Sequence, residues 1–90
     1  SVSLETYEVR LNGKRIEMPP KELEVLHFLA AHEGKVFTRE QLLEQVWGFD
    51  YYGDSRTIDV HIKRIREKLA DAKGWEIKTI WSVGYKFEVE

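Results

Sequence analysis

Apolar and polar residues alternate at both ends of the chain, which is the two-residue period of half-buried strands. Residues 6–18 alternate on either side of Asn12-Gly13, a pair that tolerates the positive φ of tight turns. Residues 75–90 alternate again, and we expect Gly84 to lie in the turn between their two halves. The pattern therefore predicts an antiparallel hairpin at each end of the chain.

Between the hairpins, apolar residues recur every three or four positions, which predicts three helices. The second begins at Thr38, with Gln41 three positions on as in a capping box, and the third begins at Asp54 or Ser55. The predicted helices cover about residues 20–33, 38–47 and 55–72. Three helices followed by a hairpin are typical of an α+β winged helix, in which the third helix enters the major groove of DNA.

The third predicted helix carries one apolar residue outside its core-facing stripe. The stripe consists of Ile58, Ile62, Ile65 and Leu69. Val60 lies roughly 160–200° away from them around the helix axis. The residues that share its face are Arg56, Thr57, Lys63, Arg64 and Glu67. Arginine can bind guanine or phosphate, and valine can pack on the thymine methyl group of the major groove. Single exposed apolar residues are also common on protein surfaces, so the helix alone leaves both interpretations open.

Charge is unevenly distributed along the chain. The formal net charge is −2, yet residues 56–68 carry five basic and two acidic side chains. Local charge determines what a surface attracts within a Debye length of about 8–10 Å. The segment is therefore compatible with phosphate binding, although many solvated helix faces are equally charged. Within it, Asp59 and Lys63 are four residues apart, and we expect them to form a surface ion pair.

Composition and motifs argue against several other classes of protein. Ninety residues are enough for one domain, predicted to span residues 1–90. Cysteine is absent, which favours the reducing cytoplasm, and no apolar run approaches the ~20 residues of a membrane span. The three histidines lie on different elements or faces, and no CxxC, HExxH, Walker or dinucleotide motif occurs. We therefore expect no enzyme activity, metal, cofactor, small-molecule ligand or membrane partner.

Three stretches together resemble a known family. FTREQLLEQVWG (37–48), RTIDVHIKRIREKL (56–69) and TIWSVGYKF (79–87) are similar to the DNA-binding effector domain of OmpR/PhoB-type response regulators. The resemblance extends from about Leu4 to Val89. It implies a winged helix with an N-terminal antiparallel sheet, a three-helix core and a C-terminal hairpin. It also implies a two-component transcription factor whose receiver domain precedes residue 1, and two copies bound head to tail on direct-repeat DNA.

The resemblance also implies residue roles, position by position. Base-reading positions are occupied by Val60 and Arg64, and Thr57 is a further candidate from its own chemistry. Positions that meet phosphates or flank the bases are occupied by Arg56, His61, Lys63, Arg66, Trp47, Thr79 and Tyr85. Near Thr38, the N–H groups that begin the second helix can also bind phosphate. The loop that some members use to contact RNA polymerase corresponds here to Phe49, Asp50, Tyr51, Tyr52 and Asp54.

The tip of the C-terminal hairpin departs from the family pattern. The family often has arginine followed by glycine where this chain has Trp81 and Ser82. Tryptophan cannot supply the positive charge that a narrow minor groove attracts. It can stack, donate one N–H or pack against a neighbour, so the contact made by Trp81 stays open.

A protein-binding winged helix without a DNA role is the competing interpretation. Its partner-facing aromatic residues would be Phe49, Tyr51, Tyr52 and Trp81. For Phe49, packing in the core beneath the loop is the plainer alternative. Salt distinguishes the two functions, because log affinity for DNA falls with a slope near −0.9 per neutralised phosphate and an aromatic protein interface is much less sensitive.

Overall fold

Two three-stranded antiparallel sheets flank three helices in the computed structural model, which describes residues 2–3, 8–51 and 53–90. The strands of the first sheet are β1 (Val2–Ser3), β2 (Glu8–Leu11) and β3 (Lys14–Ile16), in that order. The helices are α1 (Pro20–Ala31), α2 (Arg39–Val46) and α3 (Arg56–Lys68). The strands of the second sheet are β4 (Phe37–Thr38), β5 (Trp75–Ile80) and β6 (Gly84–Val89), in the order β4-β6-β5. The predicted α+β winged helix is confirmed, with β5 and β6 as the wing.

The first hairpin turns where the sequence predicted. Asn12 has a φ of 53° and Gly13 a φ of 81°, and the flanking residues Leu11 and Lys14 pair across the turn. The two-residue strand β1 adds a third strand by pairing Val2 with Val9, which the alternation alone did not indicate.

The start of α2 is fixed by the predicted capping box. The Thr38 hydroxyl accepts from the Gln41 backbone N–H at 3.0 Å, and the Thr38 backbone N–H donates to Gln41 Oε1 at 2.9 Å. Two of the N–H groups that a helix start leaves without partners are satisfied in this way.

The third helix is shorter than predicted. Asp54 Oδ1 accepts from the Arg56 backbone N–H at 2.9 Å, so the helix begins as expected, but it ends at Lys68 rather than near residue 72. Leu69 leaves helical geometry (φ −112°, ψ 28°) while its side chain stays in the core, and Gly74 (φ 86°) then precedes β5. The helix ends where the chain has to turn back towards the wing.

The core lies where the three helices meet the wing. Ile58, Ile62 and Ile65 are almost fully buried, which confirms the predicted stripe of α3. Glu22 of α1 is also buried, and it forms an ion pair with Lys68 at the end of α3. A buried carboxylate requires such a partner, because an unpaired charge in a protein interior is costly.

The turn of the wing lies one residue earlier in the chain than predicted. Gly84 is the first residue of β6 and pairs with Thr38 of β4, while the turn consists of residues 81–83, with Ser82 at a φ of 66°. A Cβ at Gly84 would lie 1.9 Å from the carbonyl oxygen of Phe37. The glycine is therefore needed for the close approach of two strands rather than for the turn, and it joins the wing to the residue that caps α2.

Candidate nucleic-acid interface

The face of α3 opposite the core is exposed and basic. Val60 is 43% exposed, and Arg56, Lys63 and Arg64 are exposed around it. Within residues 8–51 and 53–90, neither Lys63 nor Arg64 has a hydrogen bond or an ion pair. Thr57 lies half-buried beside them. The prediction that Val60 lies outside the core is confirmed, and its contact with a base stays a prediction.

Arg56 is exposed but paired within the protein. Its Nε and Nη2 atoms donate to Asp54 Oδ2 at 2.8 and 2.6 Å. This pairing lowers the pKa of the Asp54 carboxyl and raises the pKa of Arg56. A phosphate at this position therefore has to compete with Asp54 for the guanidinium group.

Trp47 and His61 pack together where the end of α2 meets α3. Their rings meet edge to face, with centroids 5.0 Å apart and planes at 87°. His61 Nδ1 lies 2.7 Å from the carbonyl oxygen of Thr57, an acceptor, so that nitrogen carries the proton. Lys21 lies 5.7 Å from the ring centroid of Trp47 and donates to the Val46 carbonyl at 3.1 Å. Trp47 and His61, both predicted to contact the DNA backbone, thus lie side by side next to Lys21.

Asp59 does not pair with Lys63, so that prediction is wrong. Its Oδ2 accepts from Arg39 Nη1 at 3.0 Å, and its Oδ1 accepts from the Tyr85 hydroxyl at 2.6 Å. The start of α2 and strand β6 bring these donors to the side of α3 that Asp59 occupies. Spacing along one helix cannot indicate partners that come from two other elements.

Arg66, Thr79 and Tyr85 lie together between α3 and the wing. Arg66 donates from Nε to the Ile77 carbonyl at 3.1 Å and from Nη2 to Thr79 Oγ1 at 2.9 Å. Its guanidinium carbon is 5.6 Å from the centroid of the Tyr85 ring, which is only 9% exposed. Burial, and then the hydrogen bond to Asp59, raise the pKa of Tyr85 to about 12. All three residues, predicted to lie near the DNA backbone, therefore have partners inside the protein.

Among the described residues, the most exposed apolar side chains are at the wing tip and in the loop after α2. Trp81 is 86% exposed and Val83 lies beside it. In the loop, Phe49 is 77% exposed, which excludes its packing in the core, and Tyr51 lies 6.0 Å from Trp47 between ring centroids. Asp50 and Asp54 of the same loop are exposed, and Tyr52 falls outside the described residues.

Comparison with known proteins assigns the chain to a family. The family model for the C-terminal domain of transcriptional regulatory proteins matches residues 13–87. The response regulator DrrB of Thermotoga maritima, an OmpR/PhoB homologue, superposes with a TM-score of 0.84 and 46% identity over 97% of this chain and 40% of DrrB. This chain is an effector domain of the OmpR/PhoB family.

Two further relatives describe the context of this effector domain. The transcriptional regulatory protein YclJ of Bacillus subtilis is 52% identical over 89 residues, which cover 98% of this chain and 39% of YclJ. The chain thus spans about two fifths of the length of that relative. The DNA-binding domain of Klebsiella pneumoniae RstA, solved in complex with the RstA box, has a TM-score of 0.82 and 32% identity over 97% of this chain and 88% of that domain's chain.

Sequence reasoning missed one part of the effector domain's site, the role of Arg39. The residue follows the Thr38 cap, and no local pattern distinguishes it from other exposed arginines. Only the packing of α2 against α3 brings it to Asp59. Among the described residues, no group of three or more His, Cys, Asp or Glu could bind a metal ion, and no helix is long and apolar enough to span a bilayer.

Proposed function

We propose that this effector domain binds double-stranded DNA with a sequence preference, α3 lying in the major groove and the wing against the neighbouring backbone. The observation that carries the proposal is the exposed basic face of α3 with Val60 at its centre. Basic side chains alone would bind phosphates without discrimination, whereas an exposed valine among them can contact thymine. The similarity to the DNA-binding domain of RstA, solved in complex with the RstA box, supports DNA as the partner.

The side chains divide into two groups by chemistry. Val60 and Arg64 contact base edges, and Thr57 bonds a base or a phosphate beside them. The groups that contact the backbone are Lys63, Arg56, His61, Trp47 and the N–H groups at the start of α2 near Thr38. Arg56 reaches a phosphate in competition with Asp54. Trp81 contacts the DNA at the wing tip through its ring rather than through a charge.

A second copy and further domains complete the proposal. One domain with two or three base contacts binds weakly, so two copies in tandem on a direct repeat gain affinity through effective concentration. The exposed loop around Phe49 and Tyr51 contacts RNA polymerase or the second copy, since exposed aromatic residues are frequent at interface centres. A receiver domain precedes the effector domain in the full-length regulator, and its phosphorylation promotes pairing. The greater length of YclJ supports an additional domain.

The proposed function is tested by incubating the 90-residue chain with a random double-stranded DNA library and sequencing the DNA that it binds. We expect one enriched motif at low salt and the same motif, bound more weakly, at higher salt. The control is the double variant Val60→Ala and Arg64→Ala, which should retain salt-dependent binding and lose the motif. No enrichment by the wild-type chain at either salt concentration would contradict DNA binding and favour a protein partner.

A further inference from the structure

We propose that Asp59 is a positioning residue for DNA binding: through Tyr85 and Arg39, it fixes the wing and the start of α2 relative to α3. The proposal rests on the proposed function, because the angle of the wing matters only if wing and helix meet one duplex. It gives Asp59, Arg66, Thr79 and Tyr85 a role between elements of the protein rather than on the DNA.

The first observation is that the two oxygens of one carboxylate bind two different elements. Oδ1 accepts from the Tyr85 hydroxyl of β6 at 2.6 Å, and Oδ2 accepts from Arg39 Nη1 of α2 at 3.0 Å. Asp59 itself lies in the first turn of α3, directly before Val60. The residue that precedes the proposed base contact is therefore the point at which three elements meet.

A second set of bonds joins α3 to the other strand of the wing, β5. Arg66, two turns further along α3, donates to Thr79 Oγ1 at 2.9 Å and to the Ile77 carbonyl at 3.1 Å, both on β5. The Tyr85 ring lies beside its guanidinium group, with 5.6 Å between Cζ and the ring centroid. Both strands of the wing are thus bound to α3, one through Asp59 and one through Arg66.

The chemistry of these groups argues against a direct contact with phosphate. A phenol has one proton to donate, and that of Tyr85 is bonded to Asp59. Phosphate oxygens at neutral pH accept hydrogen bonds, so Tyr85 could bind one only by leaving the carboxylate. Asp59 would itself repel phosphates, and its ion pair with Arg39 offsets that charge. The contacts of Asp59 with Tyr85 and Arg39 therefore fit a joint between elements of the protein better than a DNA-binding surface.

A small rotation at this joint would displace the wing tip. Thr79 pairs with Tyr85 across the wing, and Trp81 is two residues beyond Thr79, which is about 7 Å further along at ~3.3 Å per residue. A rotation of about 10° at the joint would move the tip by roughly 1 Å, which is enough to take a hydrogen bond of about 2.9 Å beyond its usual length. Loss of the bond to Asp59 should therefore weaken contacts at the wing tip before it weakens those of α3.

Footprinting on the selected DNA site separates the two contacts. The variants are Asp59→Ala and Tyr85→Phe, and Glu88→Ala is the matched control, a carboxylate on β6 that pairs with lysines of the wing. At saturating protein concentration, the DNA backbone next to the wing is protected from hydroxyl radicals. We expect this protection to fall at least threefold in both variants. Protection of guanine N7 in the major groove should change by less than a third, and Glu88→Ala should resemble the wild-type chain. Protection that is unchanged, or that falls equally at both positions, would overturn the proposal.

Amide hydrogen exchange, measured without DNA, tests the joint independently of DNA binding. Exchange at residues 79–86 should be several-fold faster in Tyr85→Phe than in the wild-type chain, while exchange in α3 and the urea midpoint change little. This variant removes one oxygen atom, so it remains informative if Asp59→Ala does not fold. Faster exchange with no DNA binding by the wild-type chain would contradict the proposed function alone. Equal exchange in the wild-type chain and Tyr85→Phe would contradict the joint itself.

Discussion

The two surfaces proposed to meet DNA differ in chemistry. The outer face of α3 presents Lys63 and Arg64 to solvent, with Val60 between them. The wing tip, residues 81–83, has no charged side chain and exposes Trp81 and Val83. The nearest lysines of the wing, Lys78 and Lys86, each lie 3.6 Å from Glu88 of β6. One surface therefore offers exposed cations and the other an aromatic ring.

This difference predicts that salt acts on the two surfaces unequally. A cation that neutralises a phosphate releases counterions, and its contribution to affinity falls as salt rises. An indole ring that packs on sugars or bases releases none. Nearly all of the salt dependence of binding should then come from α3, and very little from the wing.

The largest expected effect is on α3. Arg64→Ala should cost about 1–3 kcal/mol of binding free energy and relax the base preference at one position, because a bidentate contact with a base is lost. Titration of the selected site and of single-base variants by fluorescence anisotropy measures both. A uniform loss across all sequences would instead mean that Arg64 contacts only phosphate.

A pair of substitutions compares the two surfaces directly. Lys63→Ala should reduce the slope of log affinity against log salt by about 0.9, the value for one phosphate contact. Trp81→Ala should lower affinity several-fold at every salt concentration and leave the slope unchanged. Lys73→Ala, an exposed lysine beyond α3, is the control for both. A slope that falls in Trp81→Ala would contradict the difference between the surfaces.

The reverse substitution sharpens the same comparison. Trp81→Arg places a cation at the wing tip, where a narrow minor groove attracts one, so the slope should steepen by up to about 0.9. If Trp81 instead packs against a second copy, both Trp81 variants should lose cooperativity on a two-site duplex and keep single-site affinity. Titrations on one-site and two-site DNA at three salt concentrations distinguish these results.

The joint between the two surfaces has its own pH dependence. The pKa of Tyr85 is raised from 10.0 to about 12, first by burial and then by its hydrogen bond to Asp59. In the unfolded chain this phenol ionises at lower pH, so its contribution to stability is complete below pH 10 and is lost as pH rises through 12. Between these values, the free energy of unfolding should fall more steeply in the wild-type chain than in Tyr85→Phe. Parallel curves from urea denaturation would contradict the burial of a neutral phenol.

The parts of the molecule that the sequence predicted are those with local causes. The stripe of isoleucines, the Asn12-Gly13 turn and the capping box at Thr38 each depend on residues within one turn or one element. The exposure of Val60 follows from the same helical period. For these features, spacing along the chain determines geometry.

The parts that escaped prediction depend on contacts between elements. Asp59 and Lys63 have the four-residue spacing of an ion pair on a helix surface. Asp59 instead binds Arg39 of α2 and Tyr85 of β6. Gly84 resembles a turn residue, but the backbone of β4 is what excludes a side chain there. In both cases, the determining atoms are 20 or more residues away along the chain.

The central claim is that the exposed face of α3 reads bases as well as phosphates, and Val60 tests it most directly. Selection from the same library with the wild-type chain and with Val60→Ala compares the two motifs position by position. We predict that one thymine preference is lost, while the positions that depend on Arg64 and the slope of log affinity against log salt stay unchanged. An identical motif from the two chains would contradict the claim and leave Val60 as an exposed apolar residue without a role in recognition.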